Sequence, residues 1–408
     1  MALSESRIGR VYVKEQSAWG TPQTSFADAN SVECEITYPE LVSEALSVDS
    51  VRGGFHHATH VAGAKSATIG LSMPLHGWSS DTTPSGNPTE HVDALLLKHA
   101  LGGSVQIGYP ADVLAASQDS ASVVRYSDGT AAAGMIGNAQ LLPVSGGYSA
   151  GWVTSVDLAG TPAVDLMTML NNLSANPTDS EQAFGSNTCY LTTGHPAAAT
   201  PLTVQWAGSD TNAGIRLSDG VVTSATITAG PRQQPTLNCT LTFLDWDNVT
   251  SIGAPGLYSH SLPQMPVLTG SNGARLVVGG SSVNAASFEI SIESEMAVIG
   301  SHSGNEGAAQ YYPTNRTVTA SIVIPQDGQL DTKVPGVDPG VIQLDLAGDP
   351  GNSLSILIPE PIITEQTSIG DSEGVIASTW SLGCGVMSAD ATSGAGSAVN
   401  SAFRIAFL

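Results

Sequence analysis

One stretch of the chain matches a pattern typical of a catalytic serine. Residues 147–151 read Gly-Tyr-Ser-Ala-Gly, the G-x-S-x-G pattern of a hydrolase nucleophile. Such a serine works only on a sharp turn between a strand and a helix. The residues that follow, 152–158, instead alternate between apolar and polar side chains, as a strand does. We therefore interpret Ser149 as part of a glycine-rich turn and predict no catalytic residue.

Three histidines form the densest group of possible metal ligands: His56, His57 and His60. Zinc sites usually need three or four ligands with supporting hydrogen bonds. No carboxylate or cysteine lies within six residues of the group, and Asp49 is the nearest. We interpret the histidines as part of an exposed connection and predict no metal and no cofactor. Whether they bind anything stays open from sequence.

The candidate functional residues are instead polar side chains on one face of predicted strands. They are Glu33, Glu35, Ser66, Thr68, Glu289, Ser291, Glu293, Thr317 and Thr319. The simplest interpretation is a solvated sheet face. A repeated face of this kind that lined a channel would let a polyanion pass without binding it.

The strands that carry these residues occur twice. Residues 66–77 align without gaps on residues 317–328, and residues 31–36 match residues 287–292 in front of them. The longer pair of segments is identical at Thr68/Thr319, Pro74/Pro325 and Gly77/Gly328. Repeated units usually stack or close into rings, because each leaves a surface that another unit covers. The repeat therefore predicts a building block.

Composition limits the partners. The chain has 408 residues, a net charge of −23, and 13 basic against 36 acidic residues. Stable binding to nucleic acid or to an anionic membrane depends on lysine and arginine, so both are disfavoured. No run is long enough to span a membrane, and four cysteines in this length do not indicate a disulfide framework.

The pattern of elements predicts a mainly β protein with minor α content, of the α+β class. One helix is predicted between an Asn87-Pro88 cap and Gly102-Gly103, and a small one from Thr161-Pro162 through residues 166–170. We expect two sandwich-like units and a small β-rich insertion. The predicted boundaries are 1–109 with 191–250 for the first unit, 110–190 for the insertion, 251–272 for a linker and 273–408 for the second unit.

Several segments, in this order along the chain, resemble a known family. They are residues 11–22 (VYVKEQSAWGTP), 46–52 (LSVDSVR), 61–77 (VAGAKSATIGLSMPLHG), 94–103 (ALLLKHALGG), 219–230 (DGVVTSATITAG), 235–243 (PTLNCTLTF), 351–359 (GNSLSILIP) and 371–376 (DSEGVI). Together they resemble the tail tube proteins of tailed bacteriophages, of the long type with two tube domains in tandem. The segment near 110–190 departs from the shortest members of that family.

The resemblance implies a structural protein of the virion tail, assembled in the host cytoplasm. It implies half-barrel units that give strands to an oligomeric barrel, rings stacked into a tube, and genome passage through it. It also implies tape measure, tail terminator and distal tail proteins as partners. With about four strands per unit, three chains supply roughly twenty-four, enough for a duplex-sized lumen. A trimer with pseudo-sixfold symmetry is favoured, and a hexamer stays open. The alternative is a capsid decoration protein or a spike of hydrolase type.

Overall fold

The structure is a computed structural model that describes the segments forming the sheets and the helix. The described residues are 10–27, 30–47, 60–76, 92–101, 105–107, 112–115, 120–126, 139–145, 147–157, 165–169, 171–183, 187–190, 200–207, 214–230, 232–249, 274–284, 287–300, 308–325, 339–346, 352–372, 375–385 and 403–408.

The described part of the first half, up to residue 250, contains the helix α1 (Val92–Leu101) and fifteen strands. The strands are β1 (Arg10–Glu15), β2 (Ser31–Val32), β3 (Glu35–Ser47), β4 (His60–Pro74), β5 (Val105–Ile107), β6 (Asp112–Val113), β7 (Val123–Tyr126), β8 (Ala139–Val144), β9 (Gly147–Asp157), β10 (Asp165–Met169), β11 (Gln182–Ala183), β12 (Asn187–Tyr190), β13 (Leu202–Ala207), β14 (Gly214–Ala229) and β15 (Thr236–Val249).

Nine more strands follow in the described part of the second half. They are β16 (Ala274–Val278), β17 (Ser281–Val283), β18 (Ser287–Gly300), β19 (Ala308–Pro325), β20 (Ile342–Leu346), β21 (Leu354–Ile358), β22 (Glu360–Ser372), β23 (Val375–Gly385) and β24 (Arg404–Phe407). The mainly β prediction is confirmed.

One continuous antiparallel sheet runs through both halves, and we call it the central sheet. Eight strands pair side by side in the order β3-β4-β15-β14-β18-β19-β23-β22. Four of them come from each half. The junction between the halves is the pairing of residues 224–229 of β14 with β18. Residues 214–220 of β14 pair instead with β13, which leads on to β1 and β2.

The two faces of the central sheet differ because successive side chains of a strand point to opposite faces. In β15, Leu237, Cys239 and Leu241 are buried, while the intervening Asn238 is exposed and Thr240 is half-buried. The same alternation occurs in the first part of β18, where Phe288, Ile290 and Ile292 are buried. One face therefore packs into the main hydrophobic core, and the other is polar.

The two groups of four strands are built alike. The hairpin β3–β4 corresponds to β18–β19, and the hairpin β14–β15 corresponds to β22–β23, with β15 beside β4 as β23 is beside β19. Both second hairpins contain a bulge at a threonine. Thr223 Oγ1 donates to the carbonyl of Thr240 (3.1 Å), and Thr364 Oγ1 donates to that of Ser381 (3.0 Å). Because a bulge increases local twist, the two bulges curve the sheet at equivalent places.

The predicted match of residues 31–36 with residues 287–292 is wrong by four residues. Ser72 of β4 pairs with Glu35, whereas the equivalent Val323 of β19 pairs with Ser287. Glu35 thus corresponds to Ser287, and residues 31–32 belong to β2, which pairs with β1. A shift by an even number of residues leaves each side chain on the same face, so alternation alone could not reveal the error.

Helix α1 lies on the buried face at the junction between the halves. Leu96, Leu97 and Ala100 of the helix are buried in the core that also contains residues of β14 and β18. Its last carbonyls, which have no partner within a helix, accept bonds from the second half. Arg316 donates to Leu101 O (2.7 Å), and Ser294 donates to Ala100 O (3.3 Å). The helix therefore fixes the two halves to each other. Its predicted caps lie outside the described residues.

A second sheet, which we call the outer sheet, covers the core from the side opposite the central sheet. Its strand order is β17-β16-β20-β21-β24-β12-β5. The C-terminal strand β24 therefore lies between β21 of the second half and β12, which falls within residues 110–190. The predicted unit boundaries remain a prediction, and the linker 251–272 lies outside the described residues.

The region 110–190 contains a four-stranded sheet, β7-β10-β9-β8, that packs on the far side of the outer sheet. Trp152 and Leu141 of this small sheet belong to one buried hydrophobic cluster with Leu357 and Leu408. The small helix predicted through residues 166–170 is wrong, since β10 occupies that position. Strand β10 pairs with β7 on one side and with β9 on the other. Five residues are too few for a stable helix, so pairing with these strands is favoured.

None of the helical segments in the described residues has the length and apolar character needed to cross a membrane.

Candidate functional site

The polar face of the central sheet extends across strands from both halves of the described chain. Strand pairing places one residue from each of the eight strands in a single row across it. The row is Glu35, Ser72, Asn238, Thr226, Ser291, Thr319, Gly383 and Ile362. Neighbouring rows are also rich in serine and threonine, and this face therefore presents hydroxyl groups with scattered carboxylates.

The structure brings together eight of the nine residues proposed from sequence. They are Glu35, Ser66, Thr68, Glu289, Ser291, Glu293, Thr317 and Thr319, all on strands of this face. Glu33 differs, because it lies in the connection between β2 and β3. Sequence analysis missed Asn238 and Thr226 in the same row, although the alternation in β14 and β15 could have indicated them.

Charge on the polar face has one sign. Carboxylates project from it at Glu35, Glu40, Glu289, Glu293 and Glu365, and all five side chains are exposed. Along the described parts of these eight strands, no lysine or arginine occupies this face. Lys65 and Arg316 lie on the opposite face, where Lys65 pairs with Asp245. A surface of this composition repels a polyanion rather than binding it.

Glu33 lies close to a buried histidine–carboxylate pair. Asp93, in the first turn of α1, accepts a bond from the backbone N–H of His76 (2.9 Å) and lies 3.2 Å from its Nδ1. His76 Nε2 lies 3.9 Å from a Glu33 oxygen. Burial lowers the pKa of His76, but the hydrogen bond and the charges of Asp93 and Glu33 outweigh it and raise the pKa above 6.5. Glu33 is therefore the exposed outer member of this group.

The raised pKa of His76 predicts a pH-dependent stability. The stabilisation is complete below pH 6.5, the usual pKa, and is lost as pH rises through the folded-state value. We expect the free energy of unfolding, measured with urea, to fall as the pH rises above 6.5. His76→Gln should remove this slope and cost about 1–2 kcal/mol at pH 6. A slope unchanged in His76→Gln would contradict the assignment.

The other reactive groups have structural surroundings. Ser149 lies within β9, is buried, and accepts a bond from the Ser174 N–H (3.2 Å), as expected outside a nucleophile turn. Burial raises the pKa of the Cys34 and Cys384 thiols to about 12. No group of three or more metal-binding side chains occurs among the described residues. His56, His57 and the side chain of His60 lie outside them.

The two outer strands of the central sheet have free edges. In the described part of the chain, β3 pairs only with β4, and β22 pairs only with β23. Large exposed apolar side chains lie on both strands: Tyr38 (58% exposed) and Val42 (44%) on β3, and Ile362 (48%) on β22. A long, partly apolar free edge is a template for pairing with another chain.

A family model described as phage tail tube protein matches residues 6–379, which is most of the chain. The chain belongs to the phage tail tube protein family. No curated protein is significantly similar to it in sequence. The tail tube protein is accordingly a structural component of the virion tail, self-assembles into a tube and contacts other tail proteins.

This membership decides between the alternatives left open by the sequence. The tail tube interpretation is confirmed, and nothing supports a capsid decoration protein or a spike of hydrolase type. Membership of a structural family also favours a non-enzymatic role.

Proposed function

We propose that three chains close into a ring whose inner wall is a twenty-four-stranded barrel, and that the polar face of the central sheet lines its lumen. The observation that carries the proposal is the continuous central sheet, in which each half of the chain supplies four strands in the same order. Each half then occupies one of six equivalent positions around the axis. Three chains give a ring with pseudo-sixfold symmetry.

The free edges support closure between chains. The eight strands are antiparallel throughout, so β22 runs opposite to β3. An edge β22 of one chain can therefore pair with an edge β3 of the next without reversing either. Such a contact joins different surfaces of the two chains, and it closes when the rotation per chain divides the circle.

Size supports three chains rather than two. With strands about 4.8 Å apart and tilted by about 40°, twenty-four strands give a backbone radius of about 24 Å. A side-chain layer of about 5 Å leaves an opening about 38 Å wide. Sixteen strands leave an opening of about 22 Å, which has little room for the hydration and counterions of a duplex.

The layers of the chain support an inward polar face. The order from this face is central sheet, hydrophobic core, outer sheet and small sheet. If the polar face lines the lumen, the region 110–190 lies on the outside of the tube. Tape measure, tail terminator and distal tail proteins would then meet the lumen or the ends of the tube.

Electron microscopy and mass measurement of the purified protein test the proposal. We expect rings or tubes, and rings released by mild dissociation should have the mass of three chains. A ring of six chains would contradict the trimer. A protein that stays monomeric at every concentration and salt would contradict ring formation altogether.

Charge reversal on the polar face should create sites that hold DNA. Glu289 and Glu293 are exposed, so replacing them should change the free energy of unfolding little. The variant Glu289→Lys/Glu293→Lys should therefore still assemble. The variant should retard duplex DNA added to open tubes, and more strongly at low salt because screening is weaker. Tight binding of DNA by wild-type tubes at physiological salt would contradict a passive conduit. Phage carrying the variant should eject their genome more slowly.

A further inference from the structure

We propose that β22 of one chain pairs with β3 of the next in the register of the internal β14–β18 junction, and that facing carboxylates make this contact depend on ionic strength. The inference rests on the proposed ring and names its contact surface and its control. The occupant of each free edge is a second copy of this chain.

Strand β22 corresponds to β14 residue by residue. Val222 pairs with Leu241 just before one bulge, and Ile363 pairs with Leu382 just before the other. The bulged threonines make the same hydrogen bond. Beyond the bulge, Ser224 is therefore equivalent to Glu365.

Strand β3 corresponds to β18. Thr317 of β19 pairs with Glu293, and the equivalent Ser66 of β4 pairs with Val42. Two residues further along and on the same face, Thr319 pairs with Ser291, and the equivalent Thr68 pairs with Glu40. Val42 and Glu40 are thus the counterparts of Glu293 and Ser291.

The internal junction then gives the register between chains. Inside the chain, Ser224 is opposite Glu293, and Thr226 is opposite Ser291. By equivalence, Glu365 of one chain lies opposite Val42 of the next. Its diagonal neighbour on the same face is Glu40, at about 7–8 Å.

The exposures of two equivalent residues are those expected if β22 lacks a neighbouring strand. Val221, which is equivalent to Ile362, is only 2% exposed and packs with Leu244 and Tyr311. Ile362 is 48% exposed in the single chain. This difference in exposed fraction is expected if β22 lacks only the neighbouring strand that the next chain would supply.

The junction within the chain and the proposed junction between chains differ in which strands carry carboxylates. To the internal junction β14 brings Ser224, Thr226 and Thr228, so that carboxylates come only from β18. At the junction between chains, Glu365 of β22 meets Glu40 of β3, and both are exposed. Like charges at this distance repel, and the Debye length falls from about 30 Å at 0.01 M to about 10 Å at 0.1 M salt. Association is therefore weak at low salt and strengthens as salt is added.

A salt titration of assembly tests the charge control. The critical concentration of wild-type protein, measured by sedimentation from 10 mM to 500 mM NaCl, should fall as salt rises. Glu365→Gln should lower it about two- to fivefold at 10 mM NaCl and flatten the salt dependence. Glu365→Lys should lower it further. Glu289→Gln is the matched control, because Glu289 faces Thr228 within one chain, and it should behave as wild type.

Paired cysteines test the register. Val42→Cys combined with Glu365→Cys should, after oxidation of assembled tubes, link chains into covalent trimers. Glu365→Cys with Thr37→Cys, displaced along the strand, should not link, and neither should the single variants. Cross-linked trimers with a flat salt dependence would overturn the charge control and leave the ring intact. Links only in the displaced pair would overturn the register. Failure of every variant and condition to form rings would overturn the proposed function itself.

Discussion

Replacing Ile362 by glutamate is expected to abolish ring assembly while leaving the single chain folded. Ile362 lies on the free edge β22 and is half-exposed, so the change should alter the free energy of unfolding by no more than about 0.5 kcal/mol. If β22 pairs with β3 of the next chain as proposed, the neighbouring strand covers this side chain, and the equivalent Val221 is already buried in the single chain. Burying an unpaired charge costs more than about 2 kcal/mol and should raise the critical concentration at least thirtyfold.

Sedimentation and urea unfolding of the same preparation separate these two effects. Ser282→Glu is the matched control, since it adds a carboxylate at an exposed position of β17 on the outer sheet. It should leave both measurements unchanged. Normal assembly of Ile362→Glu would show that β22 is not a contact between chains.

Replacing Asp345 by alanine is expected to destabilise the chain by about 3–5 kcal/mol. Asp345 is fully buried, and burial raises its pKa, while Arg275, Ser355 and Gln343 favour its charged form. Arg275 Nη2 donates to it at 2.9 Å, and Ser355 Oγ at 2.6 Å. Removing the carboxylate leaves the buried Ser355 hydroxyl and the half-buried Arg275 guanidinium without this acceptor.

The same network fastens the region 110–190 to the outer sheet. Trp152 Nε1 donates to Ser355 Oγ (2.8 Å), and Asn171 Nδ2 donates to Gln343 Oε1 (2.9 Å). Asp345→Ala should therefore lower the urea midpoint and loosen Trp152, with a change in its fluorescence before global unfolding. Arg275→Met combined with Asp345→Leu should recover much of the lost stability, because it removes both charges together. A loss below about 1 kcal/mol for Asp345→Ala would contradict the role of the network.

The sequence allowed us to predict which face of each strand is buried, but not which strands pair with each other. Alternation in β15 and β18 identifies which side chains are buried, because the period of two is a local property. The pairing of β14 with β18 joins segments about sixty residues apart, and no local pattern specifies it. A second repeat was nevertheless readable: Val221-Val-Thr-Ser-Ala-Thr226 and Ile362-Ile-Thr-Glu-Gln-Thr367 share the bulged threonine.

Two other features depend on contacts distant in sequence. The strand β24 is buried between β21 and β12, which come from different halves, so its position could not follow from its own residues. Asp345 and Gln343 lie on a strand that is buried on both faces. A polar side chain is expected there only if it has hydrogen-bond partners. Their partners, Arg275 for Asp345 and Asn171 for Gln343, lie far away in the sequence and were not predictable from spacing.

Cryo-electron microscopy of assembled tubes would show the number of chains per ring and the orientation of the central sheet. We expect three chains per ring, a continuous wall of twenty-four strands, and the carboxylates of Glu289 and Glu293 directed toward the axis. A wall in which those carboxylates lie on the outer surface, or a ring of six chains, would contradict the proposed ring.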